Sequence, residues 1–242
     1  AEIIRAVAIQ LSELKLREYA AKPDLQVVQS IQALDELDKV VNTISSRLRE
    51  WYGIHFPELE RHIKSYEAYT RLVSALLGRE NFTEENLLSM DLDREKASKI
   101  SKAAEGSMGA DLSEKDLKEI GEYASTLQSM IERGKTLEVY VDTLLQGYAP
   151  NLTSLIGSKL AGLLISRAGG LGRLASMPAS TIQLLGAEKA LFRALRKGGK
   201  PPKHGLIFQH PAINQAPRWV RGRVARALAS KIAIAARLDV YG

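Results

Sequence analysis

The residues of this 242-residue chain that could do chemistry are 4 histidines, 28 carboxylates and 34 Lys/Arg, with no cysteine among them. The absence of thiols excludes disulfides and thiolate metal sites and fits a reducing compartment. His55 and His62 lie seven apart near Trp51, Tyr52 and Phe56, but no acidic third ligand falls at helical spacing from them. Packing or capping is therefore the expected role, not metal ligation. Gly134-Lys135-Thr136 imitates the end of a phosphate-binding loop, yet Ser129 stands where the motif needs its first glycine, and no strand precedes it. Gly169-Gly170-Leu171-Gly172 follows a helical run, so it is not a dinucleotide fingerprint. His204 and His210 sit in a basic segment, where polar contact to RNA is a better expectation than a general base. The chain is expected to hold no catalytic residue, no metal and no cofactor.

The cations carry the stronger signal. Residues 186–242 hold twelve Lys/Arg and two acids, Glu188 and Asp239, a net of +10; the whole chain is +6, so residues 1–185 carry −4. A basic block on a slightly acidic chain is the footprint of a polyanion partner. Its centre is Gly186 to Ala212. A short helix over Ala190–Leu195 is studded with Lys189, Arg193, Arg196 and Lys197. A Gly/Pro loop, Gly198 to Pro202, carries Lys200, Lys203 and His204, and an extended apolar run is expected over Gly205 to Phe208. Glycines let backbone approach a ligand, and prolines hold a loop open. The cations alternate with Gly, Pro, Phe208 and Trp219 instead of forming plain lysine runs, which favours nucleic acid over a solvated face.

These residues must be positioned by helices. A helix is expected over residues 2–21, with Ile4, Val7, Leu11, Leu14 and Tyr19 near a 3.6 period, ended at Lys22-Pro23, after which Asp24 can cap the next. Leu34, Leu37, Val41, Ile44, Leu48 and Trp51 then repeat at three and four, and Leu117, Ile120, Ala124, Leu127 and Ile131 repeat in the same way downstream, opened by Ser113 and Asp116. Two such runs separated by about sixty residues suggest an antiparallel hairpin with an elaborated tip. Helices over Glu58–Leu77 and Asp93–Ala104 are expected in that tip. From Asn151 to Ala168 the chain is apolar and rich in small residues, Ser180 is placed to cap a helix to Leu185, and Arg218–Leu238 reads as a helix with Val220, Val224, Leu228, Ile232 and Ala235 inward. The fold class is all-α. No run is apolar and long enough to span a membrane, and AEIIRAVAIQ lacks the form of a signal peptide, the missing initiator Met suggesting a processed or truncated chain.

Four stretches carry a family resemblance: LREWYGIHFPEL (Leu48–Leu59), YAPNLTSLIGSKLAGLLISRAGGL (Tyr148–Leu171), PASTIQLLGAEKALFRALRKGGKPPKHGLIFQHPAI (Pro178–Ile213) and ASKIAIAARLD (Ala229–Asp239). With them the chain resembles the Nop-domain family, in particular the scaffold proteins of archaeal box C/D ribonucleoproteins, from about residue 20 onward. Gly186-Ala187-Glu188-Lys189 and Ala190-Leu191-Phe192-Arg193 are the most specific of these motifs. The resemblance implies a connecting helix left from an amino-terminal domain (1–23), a coiled-coil dimerisation domain (24–146) and a compact helical Nop domain (147–242). The methyltransferase-docking amino-terminal domain and the lysine-rich tail of the family are missing from this sequence.

The resemblance further implies a non-enzymatic scaffold for guided RNA 2′-O-methylation in rRNA and tRNA processing. Its partners would be a box C/D guide RNA with its kink-turn, the small ribosomal-protein-like kink-turn-binding protein, a second copy of the chain, and fibrillarin through the missing amino-terminal domain. Lys189, Arg193, Arg196, Lys200 and Lys203 would meet phosphates, with Arg218, Arg221 and Arg223 as a second row. His204 and Gln209 would hydrogen-bond sugar, phosphate or a splayed base. Gly186, Ala187 and Glu188 would meet the small protein, with Glu188 pairing a basic side chain. Leu34, Leu37, Val41, Ile44, Leu48, Leu117, Ile120, Leu127 and Ile131 would form the dimerisation coiled coil. Such a protein would be cytoplasmic in an archaeal cell and nucleolar in a eukaryote. The alternatives are the spliceosomal relative of the family, a coiled-coil interaction protein with no RNA role, and an enzyme whose site only the fold assembles.

Overall fold

A computed structural model describes residues 2–20 and 23–242. Its regular structure is helical, with no strand among the described residues, and no described helix is long and apolar enough to cross a membrane. The first helix, α1 (Glu2–Ala20), follows the expected span; the expected stop at Lys22 lies outside the described residues. Its apolar residues Ile4, Val7, Leu11 and Leu14 are all exposed. The chain then divides into two compact units, residues 35–136 and residues 1–34 with 137–242.

Residues 35–136 are built on two long helices, α2 (Pro23–Tyr52) and α7 (Glu114–Tyr148), and on a tip made of α3 (Leu59–His62), α4 (Tyr66–Leu76), α5 (Glu84–Ser89) and α6 (Arg94–Glu105). The long helices run antiparallel. A Cβ at Gly134 would sit 3.7 Å from Leu37, and Trp51 meets Tyr123 edge to face with centroids 5.8 Å apart. Val41, Leu48, Ile120, Leu127 and Ile131 are buried together with Tyr52 at the end of α2 and with Phe56, Tyr69 and Phe82 of the tip, and Leu37 and Ile44 pack against them half-buried. The heptad residues therefore close a hairpin inside one chain. Leu117 is half-exposed, and Leu34 belongs to the other core. The single helix expected over Glu58–Leu77 is broken: Ile63 is extended, and Ser65 starts α4 by accepting the Ala68 N–H. Ser113 opens α7 by accepting the Asp116 N–H at 3.2 Å.

The tip is fastened by His55, which is buried. Its Nδ1–H donates to the Ala110 carbonyl at 2.9 Å, and its Nε2 accepts the Arg79 N–H at 3.0 Å. The Arg79 guanidinium donates to the His55 and Gly109 carbonyls and to Asp111. His55 thus joins three loop segments by hydrogen bonds. No group of three His/Cys/Asp/Glu among the described residues is arranged to hold a metal ion.

The other unit gathers α8 (Pro150–Ile156), α9 (Ser158–Ala168), α10 (Leu171–Ser176), α11 (Ala179–Leu184), α12 (Glu188–Lys197), α13 (Pro211–Asn214) and α14 (Arg221–Tyr241). Val27, Ile31 and Leu34 of α2 and Val141 and Leu145 of α7 are buried in its core. The compact units accordingly divide at 34/35 and 136/137. Gly162 lets α9 close on Ile31 and Leu145, where a Cβ would sit 2.9 Å from Ile31. The run Asn151–Ala168 is two helices because Gly157 turns the chain at φ +77.

Two carboxylates cap helices far away in sequence. Asp239 of α14 accepts the Asn151 N–H at 2.8 Å and the Leu152 N–H at 2.9 Å, in the first turn of α8. Asp24 does not cap α2, which already begins at Pro23. It accepts the Tyr148 O–H at 2.6 Å and the Leu171 N–H at 2.8 Å, so it caps α10. Burial and the bond to Asp24 both push the Tyr148 phenol well above its ordinary pKa. Asp24→Ala should cost about 1–3 kcal/mol, because two donors are left without their acceptor, and Tyr148→Phe about 1 kcal/mol. Urea unfolding checks this: the midpoint should fall with an unchanged slope, and an unchanged midpoint in both variants would remove the cap from the stability of the unit.

Candidate nucleic-acid interface

The basic segment begins with a backbone device. Gly186 has φ +87, and a Cβ there would overlap the Leu206 side chain, so both conformation and space demand glycine. Its N–H donates to Glu188 Oε1 at 2.7 Å, and Glu188 Oε2 is 3.5 Å from the Arg167 guanidinium. Burial alone would raise the Glu188 carboxyl. The hydrogen bonds from the Gly186 and Glu188 N–H groups, with Arg167, outweigh it and hold the carboxyl below its ordinary range. Within its own chain, Glu188 already has Arg167 as a basic neighbour.

α12 follows from good helix formers, EKALFRALRK, and stops at Gly198, which is left-handed at φ +67. Lys189, Arg193, Arg196 and Lys197 recur at three and four and share one face. Leu191, Phe192 and Leu195 fall on the other side. No residue of α12 is buried; Phe192 is 61% and Leu195 70% exposed. The helix therefore presents a cationic face and an apolar face, both without cover from the unit it belongs to.

The loop that follows is pinned from below. The Gly205 N–H donates to the Gln183 carbonyl and the Leu206 N–H to the Leu185 carbonyl, each at 2.8 Å. The Gln183 side chain donates to the Lys203 carbonyl at 2.7 Å. A Cβ at Gly205 would overlap the Leu185 carbonyl, so only glycine permits this approach. The run expected to be extended is instead a 3-10 turn, Leu206–Gln209, because Ile207 must turn inward and is fully buried.

That turn places the His204 ring on the Phe208 ring, with centroids 4.4 Å apart and planes within 11°. The Arg221 guanidinium lies 5.4 Å from the centroid of the Phe208 ring. Burial first, then Arg221 and Lys203, hold His204 below its ordinary pKa, so it is neutral at pH 7 and offers one donor and one acceptor. Arg221 also donates to the Ala216 and Asn214 carbonyls, each at 2.8 Å. Its guanidinium is committed to shaping the loop, whereas Arg218 and Arg223 are exposed. Lys203 runs over Gly222, with its Cδ 3.7 Å from where a Cβ there would sit.

Lys203, His204 and Arg221 are thus brought together beside Arg218 and Arg223. Lys189, Arg193 and Arg196 form the face of α12, and Lys200 is exposed in the loop between. Gln209 is exposed, and its carbonyl accepts from the Asn214 side chain. Among the described residues, none of the twelve Lys/Arg from Lys189 to Arg237 makes a salt bridge. Both acids of the segment are already engaged, Glu188 as above and Asp239 on α8. The Phe208–Arg221 stack was not legible from spacing, although an Arg thirteen residues after an aromatic in a basic block was a weak hint.

Residues 33–242 match the family model of Nop, described as "snoRNA binding domain, fibrillarin". An uncharacterized NOP5 family protein of Methanocaldococcus jannaschii is 46% identical over 233 residues, covering 96% of this chain and 56% of that protein. Nucleolar protein 56 of Caenorhabditis elegans is 43% identical, covering 95% of this chain and 49% of the relative. The Homo sapiens protein of that name is 42% identical, covering 95% and 39%. The chain spans about half the length of the curated relatives it matches. Among solved structures, a chain of a fibrillarin/Nop5p complex superposes with a TM-score of 0.53 at 26% identity, covering 99% of this chain and 70% of that one.

The Glu188 contacts predict a pH dependence. A carboxyl held low in the folded state adds stability that is fully present above its unfolded pKa, about 4.3, and is lost as pH falls through its lower folded value. Wild type should therefore be more stable than Glu188→Gln at pH 7, and the gap between denaturant midpoints should close progressively as pH falls below about 4.3. A gap that stays constant down to pH 3 would exclude the ionised carboxylate as its source.

Proposed function

The chain belongs to the Nop family, and from that premise we propose that it is an RNA-binding scaffold of a box C/D guide ribonucleoprotein, directing 2′-O-methylation carried out by a separate enzyme. The observation that carries this reading is α12, a helix with no buried residue, a row of four cations and an exposed apolar side. A helix uncovered on both sides suits a composite surface. Phosphates of a kink-turn RNA would meet Lys189, Arg193 and Arg196, and the small kink-turn-binding protein would cover Leu191, Phe192 and Leu195 beside Gly186 and Ala187. Lys200, Lys203, Arg218 and Arg223 would continue the row of phosphate ligands. His204 and Gln209 would serve as neutral hydrogen-bonding groups, and Arg221 would position the loop.

Fibrillarin is the proposed methyltransferase partner, as in the solved fibrillarin/Nop5p complex, engaged through the family's amino-terminal domain and not through residues 24–242. Self-association is part of the same reading. Because the heptad seam is used within one chain, a second copy would meet outer faces of the hairpin. In a eukaryote the assembly would be nucleolar, as the names of the eukaryotic relatives have it, and in an archaeal cell cytoplasmic.

The test is a gel-shift titration against a kink-turn RNA, with and without the small kink-turn-binding protein, at two salt concentrations. A supershift only in the presence of that protein supports the composite surface. A shift on any RNA regardless of it would mean a generic basic surface, and no shift would leave a coiled-coil interaction protein. Arg193→Ala and Lys203→Ala should each weaken assembly and flatten the log–log salt slope by about one unit for each phosphate no longer neutralised. Slopes equal to wild type in both would take these residues out of the interface.

A further inference from the structure

Trp219 is 80% exposed, although exposing an indole forfeits a large apolar burial. It does not hang on a loose loop. The Pro217 carbonyl accepts the Val220 N–H at 3.0 Å and the Arg221 N–H at 3.2 Å, so Arg218 and Trp219 occupy the corner of a closed turn at the start of α14. Arg221 braces that turn from inside through its bonds to Ala216 and Asn214, and its guanidinium is held in turn by the Phe208 ring. An exposed aromatic on a braced corner is organised before anything binds it.

Its neighbours define what could bind. Arg218 adjoins it, Arg223 is one turn along, and the Lys203 stem lies over Gly222. The nearest acids in sequence, Glu188 and Asp239, are taken by Arg167 with Gly186 and by α8. A protein-docking patch would surround the indole with further apolar residues; here the exposed residues next to it in sequence and one turn along are Arg218 and Arg223. A flat aromatic face among unpaired cations fits a π-face joined to phosphates, which is a nucleotide.

We propose that Trp219 is a stacking platform for an unpaired nucleobase, with Arg218, Arg223 and Lys203 taking the phosphates on either side of it. This rests on the RNA-binding reading and deepens it, adding a contact to the base itself. It implies that the RNA meets the start of α14 with a splayed or terminal nucleotide, not with a closed helical stretch.

The experiment uses Trp219 as its own reporter. The only other tryptophan is Trp51, and Trp51→Phe keeps an aromatic ring against Tyr123. In that background, a kink-turn RNA with an unpaired flank is titrated in the presence of the small kink-turn-binding protein. Static quenching of Trp219 emission on RNA addition is expected. Separately, Trp219→Ala should weaken binding roughly five- to a hundredfold, the range for removing one stacked base, with the salt slope unchanged because every phosphate-facing cation is still in place. Trp219→Phe should restore most of it. A complex that forms with its usual salt dependence, while the emission and the Trp219→Ala affinity do not move, overturns the platform and leaves the RNA-binding reading intact. A blue shift produced by the small protein before RNA is added assigns the indole to a protein surface and also overturns it. Absence of any complex would sink the RNA-binding reading and the platform with it.

Discussion

The C-terminal unit depends on one carboxylate placed between three elements. Asp24 lies in the first turn of α2, yet its Oδ1 accepts both from the phenol of Tyr148 at the end of α7 and from the N–H that begins α10. Helices leave their first N–H groups without partners, and burying them unsatisfied is destabilising. α10 has Gly170 at its N-cap and no side-chain cap of its own, and the space there is tight: a Cβ at Gly170 would sit 3.0 Å from the Asp24 carboxylate. Glycine and aspartate are therefore a matched pair 146 positions apart. α8 is served in the same way by Asp239. The packing of the unit is thereby oriented by charge–dipole contacts as well as by its apolar core.

The same device shapes the electrostatics of the surface. A carboxylate that caps a helix is turned inward and no longer neutralises a nearby cation. Glu188 and Asp239 are the only acids after residue 185; Asp239 is used in this way on α8, and Glu188 is taken by the Gly186 N–H and by Arg167, a cation outside the segment. Neither acid therefore pairs with a cation of the segment itself, and its twelve Lys/Arg are left without carboxylate partners among the described residues. Exposed cations without partners repel one another and destabilise a compact domain, and structural need alone would have placed acids among them. Arg221 shows the contrast, since it is bound to two carbonyls and a ring and serves the loop instead.

Much of this was legible in the sequence because it rests on periodicity and composition. The two heptad helices, the helical class and the basic block are sums over many residues, and a single exception does not disturb them. What escaped depended on one side chain choosing an acceptor or donor far along the chain. Asp24 before an apolar helix reads as its local cap, and nothing nearby reveals the better-placed donors at Tyr148 and Leu171. Gly205–Phe208 reads as extended from its apolar run, but fully buried Ile207 can turn inward only if the backbone coils. Ile63 to Ser65 reads as helix interior until Ser65 is seen accepting from Ala68. The heptads showed which residues would be buried and suggested a hairpin within one chain; a connection of about sixty residues holds the two runs at an effective concentration a second copy does not match. In the candidate site, the clustered cations were visible from spacing, whereas the inward commitments of Glu188 and Arg221 were not.

The state of α12 follows from these constraints. Ten residues are too few for a helix to persist in water on propensity alone, and this one gains almost nothing from the core. It is held at its ends, by Gly186 and Glu188 at the start and by left-handed Gly198 at the finish. Holding a helix by its caps leaves both long faces open while fixing their direction, so a partner does not have to supply the cost of ordering it. The cationic and apolar faces are set by the same backbone, on opposite sides of one helix, and a ligand covering both would have to carry phosphate and apolar surface side by side. An RNA already bound by a small protein has that character; either component alone would leave one face of the helix uncovered.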